Sequence, residues 1–230
     1  MTLLEPFGDC FWIGDGPVVS FEGFQYSTRM AVIRLDNGNL FIWSPIALTP
    51  ELKDEIDALG PVRHLVSPNK LHHLSLHEWH AAFPESLVYA SPGLARKQPC
   101  ICFQAELSDA PEPAWTGELD QVAMVGSFVM TEIVFFHHLS RTALFADLIE
   151  NFRPDWFKGW RAILARLLGI VMPNGGAPRE WRVTFWDRRT ARAALTRILA
   201  WEAERVVMAH GEIVRREGAE FIRKSFRWLG

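Results

Sequence analysis

Imidazole and carboxylate groups recur at the ends of apolar runs in this sequence. His72 and His73 lie a few residues past Val62 to Val66, Asp147 follows Leu144-Phe145-Ala146, and His210 follows Val206 to Ala209. Five of the eight histidines fall between His64 and His80. Imidazole nitrogens beside a carboxylate suit one borderline divalent cation: zinc first, with iron or manganese as alternatives. Such a cation acidifies a bound water or holds a substrate oxygen as a Lewis acid. Taken singly, each residue has a plainer reading. A histidine near a strand end is commonly hydrogen-bonded structure, and Asp147 before Leu148-Ile149-Glu150 could simply cap a helix. His73 and His77, four residues apart, could form a local pair, but no third ligand accompanies them.

These groups need elements to position them. Val62 to Val66 has the length and β-branched content of a buried strand, Ser67-Pro68-Asn69 signals a turn, and a helix-like segment carrying His73 and His77 follows. Cys10 to Ile13 and Pro17 to Phe21 read as short strands around Gly14-Asp15-Gly16. Met30 to Leu35 and Leu40 to Trp43 flank Asn37-Gly38, a hairpin signal because that dipeptide tolerates positive φ. Thr49-Pro50 opens a helix that Gly60-Pro61 stops. Leu87 to Ala90, Val122 to Val125, Val129 to Phe136, Thr142 to Ala146 and Arg205 to Ala209 read as further strands. Trp156 to Val171, Thr190 to Glu204 and Glu217 to Leu229 read as helices. The succession is an α/β pattern. If the strands before the His72-His73 pair, Asp147 and His210 share one parallel sheet, their ends meet on one edge, where α/β proteins place ligands.

Composition narrows the class. A chain of 230 residues with 49% hydrophobic and 22% charged residues and a net charge of -3 describes a globular protein, expected to form one domain over residues 1 to 230. Acids outnumber Lys and Arg, which argues against nucleic acid as a partner. No uncharged apolar run reaches the roughly 18 residues a membrane span needs, so stable membrane insertion is not expected. Cys10, Cys100 and Cys102 lack the spacing of a zinc ribbon or redox pair and read as reduced thiols. With no leader visible in MTLLEPFGDC, that predicts a cytoplasmic protein. The Trp156 to Val171 helix, with Lys158, Arg161 and Arg166, reads as packed on the sheet or at the contact of a homodimer, ahead of membrane attachment.

The phrases WIGDGPV, RMAVIRL, SPNKLHHL, FFHHLSRTALFADL and AHGE span nearly the whole chain. They resemble an uncharacterised family of bacterial and plant proteins within the metallo-β-lactamase superfamily. The resemblance implies a four-layer αβ/βα sandwich. Laid over the T-H-x-H-x-D-H element of that superfamily's hydrolases, Ser67 falls on the threonine, Pro68 and Lys70 on the two leading histidines, His72 on the aspartate and His73 on the closing histidine. Gly126-Ser127 is the nearest counterpart of a later G-H-T element. Leu144 to Asp147 matches L-F-x-G-D, and His210-Gly211 matches the terminal histidine. The resemblance thus implies that one of two metal sites is lost and that His72, His73, Asp147 and His210 serve the other.

The expected function is a hydrolase using one metal on a small-molecule ester, thioester, phosphoester or lactone. Asp147 and Lys70 would join the chemistry, the Lys70 ammonium replacing part of the lost cation's charge. The alternative is a binding or scaffold protein that keeps the fold without turnover. A redox role with bound iron is a third reading. His137 or His138 could face the site from an adjoining strand, whereas His77 and His80 read as helix-surface residues.

Overall fold

A computed structural model describes residues 2–230. Two β-sheets organise the chain. The first has seven strands in sequence order: β1 (Leu4–Gly8), β2 (Phe11–Phe21), β3 (Phe24–Arg34), β4 (Leu40–Trp43), β5 (Val62–Val66), β6 (Leu87–Ala90) and β7 (Ala105–Glu106). The second has four strands: β8 (Leu119–Met124), β9 (Glu132–His137), β10 (Thr142–Phe145) and β11 (Arg205–Met208), in the order β11-β10-β9-β8. β4, β5, β6 and β7 pair in parallel, as do β10 and β11; the other neighbours are antiparallel.

Two-residue side-chain alternation builds the layers. Ala31, Ile33, Phe41 and Trp43 of the first sheet meet Ile133, Phe135, Leu144 and Val207 of the second in one core. The intervening residues Met30, Val32, Leu40 and Ile42 face outward from the first sheet. There they pack on helices α1 (Pro50–Leu59) and α2 (Leu76–Ala82) through Leu52, Ile56, Leu76 and Trp79. A short helix α3 (Leu94–Lys97) adds Leu94 to the same core. Val134, Phe136, Ala143, Phe145, Val206 and Met208 bury the far side of the second sheet. They do so through Ala191, Ala194 and Ile198 of one helix and Ile222 of another. With both faces covered, the strands read as continuous apolar runs. Helix α4 (Trp160–Leu168) lies with Phe152, Phe157, Phe24 and Tyr26 in a fourth cluster beside the β2–β3 hairpin. The short α5 (Arg179–Arg182) precedes α6 (Arg188–Ala200), which packs on the second sheet together with α7 (Gly218–Ser225). Among the described residues no helix is long and apolar enough to cross a membrane.

Several expectations are corrected. β2 is one strand through Gly14-Asp15-Gly16, with a register shift between Gly16 and Val19 in place of a turn. The histidine segment is a hydrogen-bonded turn through Ser75; α2 begins only at Leu76, so His73 and His77 share no helical face. The helix expected from Trp156 to Val171 is confined to Trp160–Leu168. The strand-end groups also arise from two sheets, β5 in the first and β10 and β11 in the second, and not from one.

Candidate metal centre

The site is assembled where those strand ends meet. After β5, the buried Ser67 hydroxyl lies 2.7 Å from both the Asn69 and the His72 carbonyl oxygens, closing the turn. This presents the His72 ring with Nε2 at 3.2 Å from Asp147 Oδ2. Its Nδ1 is 2.7 Å from the hydroxyl of Ser44, the first residue past β4. Asp147 stands two residues past the end of β10, and no helix follows for it to cap; Glu150 instead bridges to Gly176.

His210, past the end of β11, brings Nε2 to 3.1 Å from Asp147 Oδ1 and donates from Nδ1 to the Ser27 carbonyl at 2.6 Å. The β3 strand fixes this loop. Arg29 donates to the carbonyls of Met208 and Gly211 at 2.9 and 2.7 Å, and the Gly211 amide donates to the Ser27 hydroxyl at 2.9 Å. Gly211 has φ 87°, and a Cβ there would lie 2.5 Å from the Asn151 carbonyl oxygen. Only glycine fits.

One ligand atom from each of His72, Asp147 and His210 lies within 4.8 Å of the others. Tetrahedral coordination at zinc distances of ~2.0–2.1 Å places neighbouring ligand atoms about 3.3 Å apart. The two His-to-Asp separations, 3.2 and 3.1 Å, are of that size, one to each carboxylate oxygen. The donor chemistry fits as well. With Nδ1–H of His210 committed to a carbonyl, a neutral ring turns its Nε2 lone pair toward the carboxylate, a contact that calls for a proton or a cation between them. Burial pushes Asp147 upward, but the charge of His72 and the hydrogen bonds from His210 and His72 outweigh it and hold the carboxyl far below the usual range. For His210 burial favours the neutral ring, while Asp147 and then Glu150 favour the charged one and raise it to about 9.

A buried carboxylate that sequence reasoning passed over holds the Asp147 turn. Glu132 Oε1 accepts from Ala146 N at 2.8 Å, and Oε2 accepts from Asp147 N at 2.8 Å, Leu148 N at 3.2 Å and Asn69 Nδ2 at 2.9 Å. Burial and then the Asp147 charge raise it to about 7, against the pull of those donors. Asn69 Nδ2 also donates to Asp147 Oδ2 at 2.6 Å, tying β5, β9 and β10 together. An acid beside the apolar run Ile133 to Phe136 was the available signal, since a carboxylate in a strand buried on both faces needs donors.

Other expected residues are placed elsewhere. His73 falls outside the group of converging ligand atoms; its ring is half-buried, and burial followed by the charge of Lys97 lowers its pKa. Consecutive residues of a tight turn point different ways, so His72, and not His73, faces Asp147. Among the described residues Lys70 forms no ion pair with Asp147; the groups of this turn that reach that carboxylate are the Asn69 side-chain amide and the His72 ring. Lys70 lines a neighbouring cleft, and its carbonyl accepts from Lys97 Nζ at 2.9 Å. His137 sits at the opposite end of β10, opposite Thr142, with Nδ1 2.8 Å from the Ser140 hydroxyl. His138 pairs with Asp120 at 3.3 Å.

Two sheets covered by helices, with histidine and carboxylate groups converging at the strand ends, are the metallo-β-lactamase fold. Solved structures with this fold superpose over nearly the whole chain. A DIM-1 metallo-β-lactamase exposed to ceftazidime gives a TM-score of 0.64 at 16% identity, covering 98% of this chain and 95% of its own. A metallo-β-lactamase from Pontibacter korlensis gives 0.64 at 13%, covering 98% and 97%. The metal-soaked Flv1 flavodiiron core from Synechocystis sp. PCC6803 gives 0.65 at 12%, covering 98% of this chain and 60% of its own. Residues 20–158 match the family described as domain of unknown function DUF4336, and the chain belongs to that family. The matched span contains His72 and Asp147 and stops before His210. No curated protein matches the sequence.

Proposed function

We propose that this protein is a metal-dependent hydrolase that binds one divalent cation through His72, Asp147 and His210. Zinc is the first candidate, with iron or manganese next. The substrate is a small molecule with an ester, thioester, phosphoester or lactone bond. One observation carries this reading: both imidazoles have Nδ1 tied to an oxygen, Ser27 O and Ser44 Oγ, while both Nε2 atoms turn toward one carboxylate. Such contacts orient histidine ligands, and the Ser27 carbonyl also fixes the His210 tautomer. Three protein ligands leave a tetrahedral cation one open position. When bound, such a cation supplies a Lewis acid and lowers the pKa of a water.

The chain's own groups do the rest. Asp147 holds both imidazoles, Glu132 and Asn69 hold Asp147, and Arg29 holds the His210 loop. In the resemblance to the superfamily's hydrolases, Pro68 and Lys70 fall on the two leading histidines, which favours a single site. The rival account is a metal-free ion pair between His210 and Asp147 in a binding or scaffold protein, and it requires no metal at all.

Elemental analysis of protein purified without chelator separates them. The proposal expects close to one equivalent of metal per chain, lost in the His72→Ala, His210→Ala double variant together with hydrolysis of model esters. Equal, negligible metal in both proteins would defeat it.

A further inference from the structure

Beside the candidate centre lies a cleft of about 420 Å³ lined by Lys70, Arg96, Lys97, Ser127, Phe128 and Thr131 among others. That volume is within the range of small-molecule sites. Among the described residues no acidic side chain lines it. None of the ion pairs among the described residues involves Lys70, Arg96 or Lys97. The nearby acid Glu106 is engaged with the Gly93 amide at 3.0 Å. In a chain with a net charge of -3, three unpaired cations around one concavity make a local positive field. The Lys97 ammonium donates to the Lys70 backbone carbonyl at 2.9 Å, which holds that charge at the cleft.

Two residues lining the cleft are chain neighbours of residues that hold the candidate centre. Lys70 follows Asn69, whose amide donates to Asp147, and Thr131 precedes Glu132, which holds the Asp147 backbone. One rim adds an apolar surface, where exposed Phe128 packs on exposed Trp186 with ring centroids 4.9 Å apart.

We infer that this cleft binds the oxyanion of a phosphorylated substrate, with Lys70, Arg96 and Lys97 as its charge partners and the Phe128–Trp186 pair against an apolar portion. That the bound anion belongs to a substrate rests on the metal-centre proposal; the anion site itself does not. Of the bond types considered above, this selects the phosphoester or an ester carrying a phosphate group. Lysine and arginine together suit a multiply charged phosphate, as point charge and planar fork.

The test is calorimetric titration with inorganic pyrophosphate at low and raised salt. The wild-type protein should bind it, more weakly as salt rises. The triple variant Lys70→Met, Arg96→Met, Lys97→Met should lose about tenfold or more in affinity. The charge-preserving triple Lys70→Arg, Arg96→Lys, Lys97→Arg should retain binding, which separates lost charge from lost folding. The His72→Ala, His210→Ala variant should bind pyrophosphate within about twofold of wild type, since the anion is held by side chains outside the centre. Wild-type affinity in the methionine triple, no binding by the wild-type protein, or loss of binding in the His72, His210 variant would each overturn the inference. If the wild-type protein holds no metal yet binds pyrophosphate through these cations, the metal-centre proposal fails and the anion site stands.

Discussion

Glu132 carries a prediction that can be worked from its contacts. Its carboxylate accepts four N–H groups, three from the backbone of residues 146 to 148 and one from Asn69, all in a fully buried setting. Glu132→Ala strands these donors, and a buried donor without a partner costs ~1–3 kcal/mol. Four at the lower half of that range come to about 6 kcal/mol. Relief of the buried carboxyl offsets part of this. Its rise from 4.5 to about 7 corresponds at pH 7, where the folded group is half-protonated, to about 3 kcal/mol, at ~1.4 kcal/mol per tenfold change. The net expectation is a loss of about 3 kcal/mol at neutral pH. With a urea slope of ~2 kcal/mol per molar, the unfolding midpoint falls by about 1.5 M. Glu132→Gln keeps one oxygen for Asp147 and Leu148 and turns its amino group toward Ala146, so about half that loss is expected. Chelator in every sample removes any contribution from bound metal. A midpoint for Glu132→Ala within ~0.3 M of wild type would refute the claim that this carboxylate anchors the Asp147 turn.

Three further outcomes follow from the same geometry. Arg29→Met removes the donors to the Met208 and Gly211 carbonyls; metal affinity measured by competition with a chromogenic chelator should fall about 10- to 100-fold with His72, Asp147 and His210 intact. Gly211→Ala forces a left-handed φ and a 2.5 Å approach to the Asn151 carbonyl, so thermal unfolding should show a loss of at least ~2 kcal/mol. Burial holds both His64 and His137 at about 4, below the ~6.5 of the unfolded chain. The unfolded chain therefore takes up protons first: stability is full above about pH 6.5 and declines as pH falls toward 4. His64→Phe should make that decline shallower in urea midpoints compared at about pH 5 and pH 7; an unchanged difference would contradict the assignment.

The buried centre of the fold was legible because apolar strands covered on both faces carry their own signal. Leu40–Trp43 and Val62–Val66 stand as expected, and Asn37-Gly38 turns the hairpin between β3 and β4. β1 was not legible: Glu5 and Pro6 interrupt Leu4–Gly8, a composition tolerated because the strand lies at a sheet edge. Asp147 and His210 announced themselves by standing past strand ends. The choice between His72 and His73 could not be read, because it depends on which residue of a turn closed by Ser67 points inward. Ser27, Ser44 and Arg29 were equally silent, since their roles come from contacts between distant strands.

Anomalous diffraction from crystals of protein purified without chelator tests the central claim most directly. The account predicts a single peak about 2.0–2.2 Å from Nε2 of His72, Nε2 of His210 and a carboxylate oxygen of Asp147, with an absorption edge that names the element. Well-ordered density with both imidazoles bonded directly to Asp147, and no anomalous peak between them, would contradict it.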